Sequence, residues 1–350
     1  MPERPFAAAA ARVRPLDEDA RAAARAHHDH LIKPPGSLGG LEELGAQLAA
    51  ISGTCPPPVP RSPAVAVFAA DHGVAVSENV TRWPQDITAQ RIANFVAGGA
   101  AINVIAGQVG AVVHVVDVGV AADLDSRATI HHHKVRPGTA NLATSSAMTP
   151  PEARAALDVG ALVASELVSE GHDLLVTGDM GIGNTTAAAA LIATYCDRPA
   201  SAVTGPGAGS DAGTVARKIA VVTDASDRAR RLDDPVAVLA EVGGLEIAAL
   251  AGFIVGGAAA RVPVVVDGVI TLAALAAADA IVPGVAAHGI AGHRSPEPGA
   301  SAVLEHLGLE PLLDLRLRLG EGTGGCLAVP VVQAAARVLG EMATFDQLGG

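Results

Sequence analysis

Glu321 is the residue best set to do chemistry in this chain. It stands alone among small residues in Leu319-Gly320-Glu321-Gly322-Thr323-Gly324-Gly325, directly before an apolar helical stretch. A carboxylate at a helix start can act as a simple cap. Partial burial would raise its pKa and make it a general base usable near neutral pH. A second loaded segment is Gly178-Asp179-Met180-Gly181-Ile182-Gly183-Asn184-Thr185-Thr186, between the apolar runs Leu174–Val176 and Ala187–Leu191. Strand, glycine-rich turn and helix N-terminus in that order form a phosphate site, because free backbone N–H groups and the positive helix end converge. The spacing is that of a P-loop, but Asn184 stands where a lysine must grip the β- and γ-phosphates. A phosphate monoester therefore fits better than a nucleoside triphosphate. A dinucleotide fingerprint fits poorly, since Gly181-x-Gly183 lacks the third glycine. Gly205-Pro206-Gly207-Ala208-Gly209 can bring backbone close to a ligand or be a flexible loop.

Other chemistries find less support. His131-His132-His133 and His27-His28-x-His30 are neighbours in a run, which do not by themselves converge on one metal. They read as solvated loop or helix surface, and no metal is expected. Cys55, Cys196 and Cys326 are odd in number and form no CxxC pair, which disfavours disulfides and structural zinc and suits a reducing cytoplasm. No G-x-S-x-G turn supports a serine nucleophile. Trp83, in a Thr-Arg-Trp-Pro-Gln loop, is expected either to stack on a ligand or to pack in the core. The net charge of −12 argues against nucleic acid and anionic membrane as partners. No signal peptide is legible, and the charge-free run 247–260 is too short to span a bilayer.

The elements that must position these residues alternate. Helices are expected over 17–32 and 39–52, parted by Lys33-Pro34-Pro35-Gly36-Ser37, and a long helical pattern runs over 84–106. Strands are expected at 64–70, 111–116, 174–176 and 262–266, with a short one near 280–283. Helices are expected near 150–169, 212–231, 244–260 and 326–343. Strands alternating with helices mean parallel βαβ units and an α/β fold. Ligands then sit beyond the carboxyl ends of the strands, where Asp71, Asp117, Asp179 and Asp267 are expected to line one rim. Asp117 and Asp267 could equally cap helices or close turns.

Blocks spread along nearly the whole chain resemble one family. They include KPPGSLGGLEELGAQLAAI at 33–51, ADHGV at 70–74, WPQDITAQRIANFVAGGAAINVIA at 83–106 and GDMGIGNTTAAAAL at 178–191. EVGGLEIAALAGFIVGGAAARVPVVVDGVI at 241–270, HRSPEPG at 293–299 and LLDLRLRLGEGTGGCLAVP at 312–330 complete the set. Their order is that of the nicotinate-nucleotide:dimethylbenzimidazole phosphoribosyltransferases. The resemblance implies transfer of phosphoribose from nicotinate mononucleotide to 5,6-dimethylbenzimidazole, giving α-ribazole 5′-phosphate and nicotinate, with neither metal nor cofactor. It implies that Glu321 is the general base, flanked by Leu319 and Gly320, that Gln85 contacts the aromatic base with Met180 walling its pocket, and that Asp179 is among the substrate-binding residues. Gly181, Gly183, Asn184 and Thr185, with Gly205 and Gly207, would hold phosphate and ribose, assisted by Lys218 and Ser295. Lys33 would lie near the site. A Rossmann-like domain over 56–310 and a small helical one from both chain ends, 1–55 and 311–350, are implied, in a cytoplasmic homodimer. Asp179 departs from the family's Glu, Pro206 and Ala208 from its Arg and Thr, Ala300 from a frequent His and Trp83 from a frequent Tyr. The departures bear on nucleotide affinity and base preference more than on the reaction. A nucleotide-binding relative without turnover and a P-loop-like NTPase are the competing readings.

Overall fold

The computed structural model describes residues 4–125, 129–207, 209 and 211–348. Its centre is a sheet of short strands rich in Ala and Val. In chain order these are β1 (Pro63–Ala70), β2 (Val112–Gly119), β3 (His131–His132), β4 (Leu174–Met180), β5 (Val264–Val266) and β6 (Gly289–Ala291). They lie in the order β3-β2-β1-β4-β5-β6, and every pairing is parallel. The order reverses between β1 and β4. A switch point of this kind opens a crevice beyond the strands' carboxyl ends.

Helices cover both faces. The first half holds α1 (Pro5–Arg12), α2 (Glu18–His30), α3 (Gly40–Ser52), α4 (Gly73–Ser77), α5 (Ile87–Val96), α6 (Ala101–Val109) and α7 (Pro150–Ser169). Then come α8 (Asn184–Tyr195), α9 (Ala200–Val203), α10 (Ala212–Ala229), α11 (Pro235–Val242) and α12 (Leu245–Ala260). The chain closes with α13 (Val269–Ile281), α14 (Pro298–Leu307), α15 (Thr323–Glu341) and α16 (Phe345–Leu348). Ala64, Ala66 and Phe68 of β1 join the core under α7, α8, α12 and α13. Val65, Val67 and Ala69 join the opposite core, under α3, α6 and α15. That is the period of two a strand imposes, and burial on both faces explains why β1 has no polar position.

Small residues set the helix spacing. A Cβ on Gly160 of α7 would overlap the carbonyl oxygen of Ala249, and one on Gly252 of α12 that of Leu157. The two helices thus touch backbone to backbone. α2 and α3 pack with the end of α15 through Ala20, Ala24, Ala46, Ala49 and Leu339, whereas α1 lies on α7 and α12.

Several sequence expectations change here. The helical pattern over 84–106 is two helices, because Gly98 takes a left-handed φ of 75° and stops α5. Both the 87–109 stretch and α15 match a bilayer span in length and hydropathy, yet this turn parts the first and α15 packs on β4 and β5. The apolar residues near 280–283 are no strand; they end α13, and the last strand is β6. Short apolar runs do not distinguish strand from helix end. β4 continues to Met180, so Gly178 and Asp179 belong to the sheet. His131 and His132 form an edge strand, and His28 is buried rather than solvated.

Candidate active site

A cavity of about 590 Å³ opens at the switch point. Its walls come from the end of β4, the start of α8, the residues after β5 and β6, the face of α5, and the segment before α15. Glu321 reaches it from an unusual turn. Gly320, Glu321 and Gly322 all have positive φ, at 79°, 64° and 85°. For a residue with a Cβ this region costs roughly 1–2 kcal/mol. The turn nests on β4: a Cβ on Gly178 would come within 2.7 Å of the Glu321 carbonyl oxygen, and one on Gly322 within 2.9 Å of Val65. Gly178 is therefore a glycine because the Glu321 turn lies on it, a contact that the P-loop spacing misassigns to phosphate.

The turn puts Glu321 at 2% exposure. Oε1 is 3.8 Å from Arg91 Nη1, and Oε2 has no hydrogen-bond partner among the described residues. Burial pushes the carboxyl up from its ordinary value, while Arg91 and then the Ile102 backbone N–H pull it back. A desolvated carboxylate on a cavity wall, not fully engaged by other groups, suits a proton acceptor. Asp179, at the end of β4, accepts from Asn184 Nδ2 at 2.9 Å. Its carboxyl is pushed well above the usual range, first by burial and then by Asp267, Glu246 and Glu321. Asp267 accepts from the Gly325 N–H at 2.8 Å, which caps α15, and meets His293 at 3.3 Å. Of the four aspartates expected on the rim, Asp179 alone lines the cavity. Asp71 ties Thr88 to the Ala121 N–H, and Asp117 holds the Val120 N–H and Lys134.

The loop between β4 and α8 is only Gly181-Ile182-Gly183. Its length leaves no room to wrap a triphosphate. Gly181 is needed because a Cβ there would overlap the Ala70 carbonyl oxygen, and Gly183 takes a φ of 96°. Not every N–H at this helix start is free. Ile182 donates to Thr88 Oγ1, Asn184 to the Gly181 carbonyl and Thr186 to that of Gly183. Lys218 supports this corner from behind. Its Nζ, on a residue 1% exposed, donates to Thr185 Oγ1 at 3.0 Å and the Gly205 carbonyl at 2.9 Å. Burial lowers its pKa, against the pull of Glu297.

Asp179, Met180, Gly181, Asn184, Thr185, Gly207, Ser295, Leu319, Gly320 and Glu321 thus share one cavity. Gly183, Gly205 and Lys218 stand just behind its wall. Gln85 sits in the turn before α5, its carbonyl accepting from the Thr88 N–H, and does not line the cavity. Lys33 pairs with Glu42 at 2.8 Å beside a separate depression formed with Pro34, Pro35 and Phe345. Trp83 forms a half-open lip with the Arg82 guanidinium 4.9 Å from its ring, so it is not core. Pro206 is exposed and Ala300 buried, while Ala208 lies outside the described residues.

Sequence reasoning missed Gln90, Arg91, His293, Glu297 and Arg318, all on the cavity wall. Ile87, Gln90 and Arg91 share a helix face by their spacing of three and four, a usable signal. Arg318, in Leu315-Arg316-Leu317-Arg318 just before the Glu321 turn, was legible as a cation in an acidic chain. Glu297 was not. Its Oε1 accepts from the Gly207 N–H at 2.8 Å, and Gly205 must lack a side chain to admit its other oxygen.

Strand order, cavity and desolvated carboxylate define a doubly wound α/β enzyme site, and a phosphoribosyltransferase family model matches residues 13–349. Nicotinate-nucleotide–dimethylbenzimidazole phosphoribosyltransferases from Salinispora tropica and Chloroflexus aurantiacus are 53% and 52% identical, aligned over 97% and 96% of this chain and 97% and 95% of theirs. The crystal structure of that enzyme from Thermus thermophilus superposes with a TM-score of 0.91 at 48% identity, covering 95% of this chain and 99% of that one. The chain belongs to the nicotinate-nucleotide–dimethylbenzimidazole phosphoribosyltransferase family.

Proposed function

We propose that this protein moves the 5-phosphoribosyl group of nicotinate mononucleotide onto 5,6-dimethylbenzimidazole, with Glu321 as general base. A ring nitrogen of the base attacks C1′ from the face opposite nicotinate, so the β-glycoside becomes an α-glycoside. The azole loses its N–H proton to the Glu321 carboxylate, and nicotinate leaves with the bonding pair, which neutralises its pyridinium. The single observation that carries this reading is the desolvated Glu321 carboxylate in the cavity wall, its carboxyl raised by burial. Asp179, with its raised pKa, is suited to hold a proton and donate a hydrogen bond rather than to share the base role. Thr185, oriented by Lys218, and Ser295 would meet the nucleotide phosphate, a reading supported by their place on the cavity wall beside the cation Arg318. Met180, Trp83 and Leu319 offer the apolar surface for the aromatic base. We read the working unit as a cytoplasmic homodimer in which 1–55 and 311–350 form a small helical part.

The test is release of nicotinate from the two substrates by the wild type and by Glu321→Gln. Loss of a general base costs about 10²–10⁴-fold in turnover. We expect such a loss with nicotinate mononucleotide binding changed by no more than a few-fold. Undiminished turnover in the variant would remove Glu321 from the mechanism. Wild-type binding without product, over a series of benzimidazoles, would favour the non-catalytic alternative.

A further inference from the structure

Away from the cavity, the outer edge of the sheet gathers histidines. β3 pairs with β2 through Val116–His131 and Asp117–His132. This pairing sets the His131 ring 5.4 Å from that of His114 on β2, and His131 stacks on His133 at 6.4 Å. α7 supplies Glu166 to the same spot. One ligand atom from each of His131, His133 and Glu166 lies within 4.8 Å of the other two, and all three residues are half-buried. An ion at the centre of a triangle of that edge sits about 2.8 Å from each corner, so modest side-chain rotations reach the ~2.0–2.2 Å of zinc–nitrogen and zinc–oxygen bonds. His131 Nε2 lies 3.2 Å from His114 Nδ1. One ring nitrogen can thus be oriented by a neighbour while the other binds, as in metal-ligating histidines generally. None of the three lines the cavity.

We propose that His131, His133 and Glu166 form a site for a zinc-class divalent ion, with water completing the shell, that ties edge strand β3 to α7. Two imidazoles and one carboxylate suit zinc, with cobalt(II) and nickel(II) as weaker or comparable ligand-matched ions, and do not suit magnesium or calcium, which require oxygen ligands. Such a tie matters at this place. β3 has two residues, and the His133 and Val135 N–H groups carry its pairing on to the Asp117 and Val118 carbonyls of β2; an ion would add a side-chain tie to α7.

The experiment uses the full chain without an affinity tag, stripped by chelator and titrated with zinc by calorimetry, and with cobalt(II) by visible absorption. We expect one zinc equivalent, a tetrahedral cobalt spectrum and a Tm raised by several degrees in excess zinc. His133→Ala and the conservative Glu166→Gln should each weaken binding by roughly 100-fold or more and abolish the Tm rise, judging from the 10–100-fold cost of losing even an outer partner. The control His27→Ala/His30→Ala should keep all three signals. Phosphoribosyl transfer should be unchanged in the edge variants. Absence of a zinc equivalent in the wild type, or its retention in both edge variants, overturns the site.

Discussion

The carboxyl of Glu321 is pulled in two directions, upward by burial and downward by the Arg91 guanidinium. With Glu321 as the general base we propose, active only when deprotonated, kcat/KM should fall on the acid side, with its limb above the ordinary glutamate value. Arg91→Ala removes the downward pull and should move that limb to higher pH, while Arg91→Lys should hold it near the wild-type position. A pH profile of kcat/KM for the three proteins checks this, and a limb that stays put or moves toward acid removes Arg91 from the account. The contrast between these two residues also explains what was legible at this scale. Glu321 advertised itself, because a charged residue between glycines has few structural excuses. Arg91 and Glu297 carry no such local mark. Their places on the cavity wall arise only when α5 and the residues after β6 are brought against the turn, and sequence spacing does not encode that meeting.

At the level of elements, glycines of one chemical type do opposite things. Gly252 is the point where α12 meets the α7 backbone, and Gly107 on α6 has nothing within 4 Å of a built Cβ. Gly252→Val should destabilise by about 3 kcal/mol, because it forces two packed backbones apart. Gly107→Ala should stabilise by roughly 0.5–1 kcal/mol through helix propensity. Denaturant unfolding of both variants measures the two signs, and a tolerated valine at 252 would mean the helices separate without cost. Element type was mostly readable from periodicity, and β1, α7 and α12 lie where the apolar patterns put them. Boundaries were less so. The end of β4 depends on pairing with Val67, Phe68 and Ala69 of β1, and those long-range contacts decide whether Gly178 is strand or loop. β6 is hidden for the same reason: Gly289, Ile290 and Ala291 become a strand only beside β5.

Across the whole molecule, the reversal of strand order fixes where the cavity is, and the alternation in sequence implied the parallel sheet without giving its order. The surface holds a further clue to assembly. Val96 and Val104, on consecutive helices α5 and α6, are 39% and 69% exposed, and Leu315 and Leu319 near the cavity are 59% and 47% exposed. Apolar side chains mark a partner surface where they form one contiguous patch, whereas single ones are ordinary. The homodimer we propose should sediment as one species at about twice the 34.8 kDa chain mass, and a monomer at micromolar concentration would refute it.

The left-handed turn at 320–322 has one more consequence. Its central residue gives the backbone a conformation that glycine adopts freely, and it places a carboxyl where water barely reaches it. Fold stability alone therefore disfavours Glu321. Glu321→Gly should melt above the wild type by the equivalent of about 1 kcal/mol, the backbone relief outweighing the lost side-chain contacts, while losing turnover as Glu321→Gln does; a lower melting point would show that the carboxylate helps hold the turn. In a lineage released from the reaction, mutation would drift toward glycine here, and a glutamate kept at this position would be a mark of continued use.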